Sequence, residues 1–467
     1  MLRIGGVPLN LNLVRFGVRT GIGPRIDTDA TDDLGVCEAR DLDAFQQAGW
    51  RFSETPPPDF HGGSDVEIGR LARYSEKRGF VILTDRVLVR LPDDVDVRSL
   101  GVAFGRVDRL PFRAVFYDAQ VEFSGADLET AIESAIAALQ SHPGVVAEPV
   151  LIYNFVHRLT SGGTVSPEAI ESQWEAIHLR DAWRVASTKG KGVYAAVIDL
   201  GFHLDSQLAI EWCAFVPEKG NPSYAQTDIQ PVYHGTLCAG LIGARPGEIN
   251  VTGAAPDVKL ILIAVEKVTT QIAIANAIRL AAVPEGNRPG ADVISCSLAP
   301  CERAMEVSSL LRTAVDDALA SGRGNLGTPQ PLGTAVFWAD VDQPIAIPPG
   351  TIEEYGPVVC VGASEDDGWN RFSGYGNGLD FLAPRQAIVL GVMGSSAART
   401  LETGTSVAAP QAAGVAALVL STRPRMKATD LAALIANACD RQDARANAGS
   451  GVLNALKTVT DALQVPP

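Results

Sequence analysis

From Gly79 onward the apolar and polar positions keep a legible rhythm. Phe80–Leu83 and Arg86–Leu91 read as strands that meet at Thr84-Asp85, and Ala114–Phe123 as another. The turn Ser124-Gly125-Ala126-Asp127 resembles a capping box, and the segment after it places Leu128, Ala131, Ile132, Ala135, Ile136 and Leu139 on one helical face. His142-Pro143-Gly144 ends that helix, and Val145–Tyr153 is a further strand. Strands and an amphipathic helix in so short a stretch predict a small α+β domain over 79–157. A polar, glycine-bearing linker follows over 158–172, with Gly162-Gly163 inside it.

Beyond the linker the pattern changes. Val193–Ile198 is apolar at every position and ends in Asp199. Val258–Val265, Val293–Ser297, Thr334–Trp338 and Val358–Val361 read as further strands, with helices over Ile272–Ala282 and Ser308–Ala320 between them. Strands apolar on both faces belong in a parallel sheet covered by helices. Their alternation with helices predicts an α/β domain, a doubly wound parallel sheet, over 173–467. Asp199 then stands at the C-terminal end of a strand, where open α/β sheets place their ligands. The first 78 residues are harder to read. Leu9–Val18 suggests a strand and Ala44–Trp50 a short helix, but Pro56-Pro57-Pro58 and His61-Gly62-Gly63 break the chain, and 27–33 is acidic. This part is expected to be a poorly defined N-terminal extension with no functional motif, His61 being a solvated loop residue.

Composition narrows the partners. The chain has 467 residues, 46% hydrophobic and 20% charged, enough to bury a substantial core. Its net charge of −15 argues against a general nucleic-acid binder. No apolar run approaches the roughly 18 residues of a membrane span. Seven cysteines are scattered singly, without the spacing of a metal site, so neither metal nor cofactor is expected. The scattered thiols and the lack of a leader-like apolar stretch suggest a reducing, cytoplasmic location.

Three segments hold polar residues in apolar or glycine-rich frames: Ala196-Val197-Ile198-Asp199-Leu200-Gly201, His234-Gly235-Thr236-Leu237-Cys238-Ala239-Gly240, and Gly404-Thr405-Ser406-Val407-Ala408-Ala409-Pro410. Ser406 precedes an Ala-rich helix, with Pro410 expected in its first turn. A helix N-terminus favours developing negative charge. Acyl transfer by a serine needs a base to take its proton and a carboxylate to hold that base. Singly, each residue has a plainer reading, as an N-cap serine, a turn-capping aspartate or a helix-capping histidine.

Together these frames resemble the subtilisin-like serine proteases, with Asp199, His234 and Ser406 as the triad. The resemblance extends over roughly 173–460. It includes Gly253-Ala254-Ala255-Pro256, Asp292-Val293-Ile294-Ser295-Cys296-Ser297-Leu298, Phe372-Ser373-Gly374-Tyr375-Gly376, Leu382-Ala383-Pro384 and Gly449-Ser450-Gly451-Val452-Leu453-Asn454-Ala455. It implies a peptide or protein substrate, bordered by Ser295, Cys296, Ser297 and Leu298. It also implies that 79–157 is an intramolecular inhibitory prodomain, against the plainer reading of a permanent structural domain. The chain departs from the family in places. Leu237 stands where a second histidine is usual, Ala299-Pro300 replaces glycines, and Gln411 replaces a histidine. Val336-Phe337-Trp338-Ala339-Asp340 puts Asp340 where the family's asparagine donates to the oxyanion. The departures at Asp340 and Pro300 therefore leave a catalytically weak binding module open beside an active endopeptidase. A transpeptidase or peptide cyclase on the same acyl-enzyme is a third possibility.

Overall fold

The structure is a computed structural model that describes residues 1–9, 11–19, 36–56, 67–74, 79–123, 127–157, 160–161, 174–224, 233–247, 251–300, 304–323, 331–390, 399–441 and 447–465. The acidic stretch 27–33, His61, the turn 124–126 and the linker apart from Thr160 and Ser161 lie outside them. The chain divides into two units. One is Met1–Phe155 with Lys267–Ala275 and Pro300–Thr313; the other is Val156–Glu266 with Asn276–Ala299 and Ala314–Pro467.

The first unit corrects the expectation of a loose extension ending at residue 78. Strand β1 (Leu11–Arg19), helix α1 (Val36–Gln47), β2 (Trp50–Ser53) and β3 (Glu67–Tyr74) share one sheet and core with the rest of the unit. β1 pairs antiparallel with both β2 and β3. Phe45, Trp50, Leu71, Phe80 and Ile82 are buried together. β1 falls where Leu9–Val18 suggested a strand, whereas β3 did not show in the periodicity. A Cβ on Gly17 would sit 2.7 Å from the Phe52 ring, and one on Gly69 would sit 2.4 Å from Ile82, so both positions need glycine for close packing inside a strand.

β4 (Phe80–Leu91) is one strand where two were expected. Its first half pairs with β3 and its second half with β6 (Val115–Val121), while β5 (Phe104–Arg109) extends the sheet beyond β6. The change of partner falls at Thr84-Asp85-Arg86, where the ladder to β7 (Val146–His157) also shifts register. Polar residues are needed there. The Thr84 hydroxyl donates to the Val150 carbonyl, and the Arg86 guanidinium pairs with buried Asp118. Helix α2 (Leu128–Gln140) is capped by Asp127, whose carboxylate accepts from the Thr130 N–H, and it buries Leu128, Ile132, Ala135 and Leu139. The sheet ends on a strand from far along the chain: Val268–Thr270 pairs antiparallel with Ile152–Asn154 of β7. Cys37 of α1 is disulfide-bonded, whereas Cys213, Cys238, Cys296, Cys360 and Cys439 are free.

The second unit begins with the short strand β8 (Thr160–Ser161). Its main sheet contains β9 (Tyr194–Asp199), β10 (Ile210–Val216), β11 (Lys259–Val265), β12 (Val293–Cys296), β13 (Ala335–Ala339), β14 (Val359–Ser364) and β15 (Phe381–Pro384). These run parallel in the order β10-β11-β9-β12-β13-β14-β15, the expected doubly wound arrangement. Chain order reverses at β9, so Asp199 closes the strand at the topological switch point. A smaller antiparallel sheet joins β8, β17 (Arg399–Thr403) and β16 (Gln386–Leu390), with β17 in the middle. Helix α3 (Tyr233–Gly243) and helix α4 (Thr405–Thr422) are buried along most of their lengths. α4 is long and apolar enough to cross a membrane, but 89% of it is buried inside the fold, as befits a core helix.

One buried carboxylate carries a stability prediction. Asp380 accepts from the Cys360 N–H at 2.7 Å, and burial pushes its pKa from the usual 3.8 to about 6. The folded chain thus binds the proton more tightly than the unfolded one. Charging Asp380 costs nothing extra below about pH 4 and penalises the fold progressively as pH rises through 6. Asp380→Asn keeps an acceptor without the charge. It should stabilise the chain at pH 8 by on the order of 2 kcal/mol and make no difference near pH 4, as read from denaturant midpoints at both pH values.

Candidate active site

Asp199 ends β9 with no exposed surface. One carboxylate oxygen accepts from the Leu200 N–H at 2.7 Å, and the other lies 2.7 Å from His234 Nδ1. His234 is the second residue of α3 and is almost fully buried. The surrounding frame explains the small residues beside it. A Cβ on Gly235 would lie 2.3 Å from the Gly201 carbonyl and 2.6 Å from the Phe202 ring, so the glycine lets the loop after Asp199 pack on the helix. The Thr236 hydroxyl accepts from the His203 N–H at 2.7 Å and donates to the His203 carbonyl at 2.8 Å. His203 therefore takes part through its backbone N–H and carbonyl. Leu237, standing where a histidine was usual, is wholly buried core.

Ser406 is the second residue of α4, and its hydroxyl donates to the Ser297 carbonyl at 3.4 Å. Gly404 precedes the helix at φ 151°, a backbone region that side chains disfavour. Asp342 caps the start of α4: its Oδ1 accepts from the Thr405 N–H at 2.9 Å and from the Thr405 hydroxyl at 2.6 Å. Pro410 lies deeper than the first turn expected from sequence, six residues into α4. Having no N–H, it leaves the Ser406 carbonyl without its helical donor four residues on. The Cys238 thiol takes that place and donates to Ser406 O at 3.5 Å. The same sulfur is 3.9 Å from His234 Nδ1, one helical turn away. Cys238 therefore touches both the histidine and the serine residue, and the three sequence-predicted triad residues meet around it.

The electrostatics suit a base. Burial alone would lower the His234 pKa, but the Asp199 carboxylate, with Cys238, outweighs it and holds the imidazole well above 6.5. Burial keeps Cys238 a thiol by raising its pKa. The pairing adds stability that is fully present below pH 6.5 and lost as pH rises through the raised value. Asp199, His234 and Cys238 also bring three metal-competent atoms within 4.8 Å of one another, the one such group among the described residues. Two of those atoms already bond each other.

The remaining candidates fall differently. Of the four expected to border substrate, Ser297 contacts Ser406. Ser295 and Cys296 sit inside the ladder, opposite Val197 and Ile198 on one side and Phe337 and Trp338 on the other, and Leu298 is buried. Asp340 is wholly buried, directly after β13. Its carbonyl accepts from the Thr405 hydroxyl at 2.7 Å, and its Oδ1 accepts from the Val341 N–H at 2.7 Å. A Cβ on Gly374 would be 2.5 Å from that oxygen, so the glycine leaves room for the carboxylate. The sequence reading missed Cys238 and Asp342. Cys238 was within reach, being four residues after His234 on one helix face; Asp342 lies in an irregular loop that carries no period.

A family model described as the subtilase family matches residues 190–453, more than half of the chain. The chain belongs to that family. This subtilase is 26% identical over 458 residues to a calcium-dependent protease of Nostoc sp., a match covering 83% of this chain and 65% of the relative. It is 33% identical over 257 residues to subtilisin DY of Bacillus licheniformis, covering 52% of this chain and 82% of the relative. Among solved structures it shares its fold with fervidolysin from Fervidobacterium pennivorans, a keratinolytic enzyme related to subtilisin. That match has a TM-score of 0.60 at 18% identity and covers 80% of this chain and 61% of that one. Proteases from Pseudoalteromonas arctica match with a TM-score of 0.51 at 24% identity, over 62% of this chain and 97% of that one. The subtilase thus spans about 65% of the length of the calcium-dependent protease.

Two variants test the geometry. Asp199→Asn removes the charge that raises the His234 pKa, so the rising limb of the pH–rate profile should move to lower pH while the plateau falls about 10⁴-fold. A limb at the same pH in both proteins would contradict the pairing. Cys238→Ala should cost about 1 kcal/mol of stability by orphaning the Ser406 carbonyl, and Cys238→Ser should recover part of it, as read by thermal or denaturant unfolding.

Proposed function

We propose that this chain is a serine endopeptidase acting on peptide or protein substrates, with its N-terminal region as an inhibitory prodomain. The 2.7 Å bond between His234 Nδ1 and Asp199, beside Ser406 at a helix N-terminus, carries the first part of this reading. Ser406 Oγ attacks the scissile carbonyl carbon while His234 Nε2 takes its proton and passes it to the leaving amine. Asp199 keeps the proton on Nδ1 and stabilises the imidazolium that forms. The N-terminal N–H groups and dipole of α4 favour the oxyanion. The subtilisins and proteases among its relatives support the same reading. The prodomain role is supported by β7, which takes Val268–Thr270 as its neighbour, a strand from within the family-matched region.

Asp340 is the residue assigned to the oxyanion position. A charged carboxylate repels an oxyanion, whereas a protonated one donates to it. Full burial after Phe337 and Trp338, both also buried, favours the neutral acid. Turnover is then slow at neutral pH and declines as pH rises.

The test compares initial rates on a fluorogenic protein substrate from pH 5 to 9. Ser406→Ala should abolish turnover. Asp340→Asn should raise it tenfold or more at pH 8, out of the roughly 10²–10³ that one oxyanion donor is worth, and should flatten the decline with pH. Residual turnover equal to wild type in Ser406→Ala sinks the protease reading. An unchanged profile, or lower rates at every pH in Asp340→Asn, sinks the oxyanion assignment alone.

A further inference from the structure

We infer that Asp342 carries the negative charge at the start of α4 and, by that charge, keeps Asp340 a neutral acid able to donate to the oxyanion. The inference rests on the oxyanion reading of Asp340 and deepens it by naming the residue that tunes it. Asp342 is a positioning residue, since it acts through Asp340 and not on the reacting atoms.

One hydroxyl joins the two acids. Thr405 opens α4, immediately before Ser406. Its Oγ1 lies 2.7 Å from the Asp340 carbonyl oxygen and 2.6 Å from Asp342 Oδ1. The Asp342 carboxylate is therefore within two hydrogen-bond lengths of the Asp340 backbone, and Val341 alone separates the two residues in the chain. A like charge so near disfavours ionisation of its neighbour. The proton then settles on the acid whose surroundings tolerate charge less.

Those surroundings differ. Asp342 Oδ1 accepts from the Thr405 N–H at 2.9 Å as well as from the hydroxyl. It stands at the N-terminus of an 18-residue helix, whose dipole favours an anion, and it keeps some contact with solvent. Each of these favours the carboxylate form. Asp340 has no exposed surface. Its Oδ1 accepts from the Val341 N–H at 2.7 Å. Gly374 presses on both of its carboxyl oxygens, a Cβ there falling 2.5 Å from one and 2.7 Å from the other. The Gly374 N–H nevertheless donates to the Val341 carbonyl, at 3.1 Å.

Strands β13 and β14 and helix α4 meet at Asp340, and none of them contains Asp, Glu, His, Lys or Arg. On the loop that carries Gly374, exposed Arg371 pairs with Asp367. Glu402 of β17 accepts from the Thr400 hydroxyl. Asp380 accepts from the Cys360 N–H, one residue before the Val361 carbonyl that accepts from the Asp340 N–H. These groups are common to every variant compared below. His234 of α3 titrates on the rising limb of the rate profile, which leaves the falling limb to Asp340.

Initial rates of the full chain on the fluorogenic protein substrate from pH 5 to 9 test this, taken per Ser406 site labelled to completion by a fluorophosphonate. Asp342→Asn keeps an acceptor for Thr405 and removes the charge. Ionised Asp340 is then less disfavoured, so the falling limb should begin about one pH unit lower than in wild type, while the plateau below it should not fall. Asp342→Ala should move the limb equally far and also lower the plateau, because the cap is lost with the charge. Adding Asp342→Asn to Asp340→Asn should leave the profile where it was. A falling limb at the wild-type pH in Asp342→Asn overturns the inference, as does an equal displacement on adding it to Asp340→Asn. If Asp340→Asn flattens the profile while Asp342→Asn does not shift it, the inference alone fails. If Asp340→Asn leaves the wild-type profile unchanged, the oxyanion assignment fails and the inference with it.

Discussion

A fully buried carboxylate at the end of a parallel strand has to be answered by a partner, and much of the second unit is arranged around that need. Asp199 accepts from the Leu200 N–H and lies against the His234 imidazole, in a site without exposed surface. Burial opposes charge on both groups, so the pair persists only because each compensates the other. The glycine at 235 and the hydroxyl at 236 serve that pairing by letting the Asp199 loop lie against α3.

The same economy of groups appears at the start of α4. Pro410 removes one helical hydrogen bond, and the carbonyl it strands belongs to Ser406. Cys238 supplies the missing donor from α3. A helix defect, a buried thiol and the imidazole are thereby tied into one cluster. Asp342 does the corresponding work outside the helix by holding the N–H and hydroxyl of Thr405.

The second unit was largely legible in the sequence because its physics is periodic. Fully apolar strands such as Val193–Ile198 can only be buried on both faces, and the three glycine-framed polar residues sit where those strands and helices end. The first unit was legible only in part. Its helix α2 declared itself through Asp127 and its apolar stripe. β1 was read from the run Leu9–Val18, but β3 was obscured by Gly69, which is there to admit the branched side chain of Ile82 from the neighbouring strand. β4 looked like two strands because it changes partners at Thr84-Asp85-Arg86, a long-range event that local periodicity does not record. The strand Val268–Thr270 could not be assigned to the N-terminal sheet, since it is far away in sequence from β7. Pairings of this kind follow from tertiary packing rather than from local preference.

The central claim is that Asp199, His234 and Ser406 work as one catalytic unit with Ser406 as its nucleophile. The most direct measurement is peptide mapping by mass spectrometry after labelling the folded protein with a serine-reactive fluorophosphonate. The account predicts a single adduct on Ser406, lost in His234→Ala although the serine remains. An adduct on another serine, or equal labelling of Ser406 without His234, would contradict it.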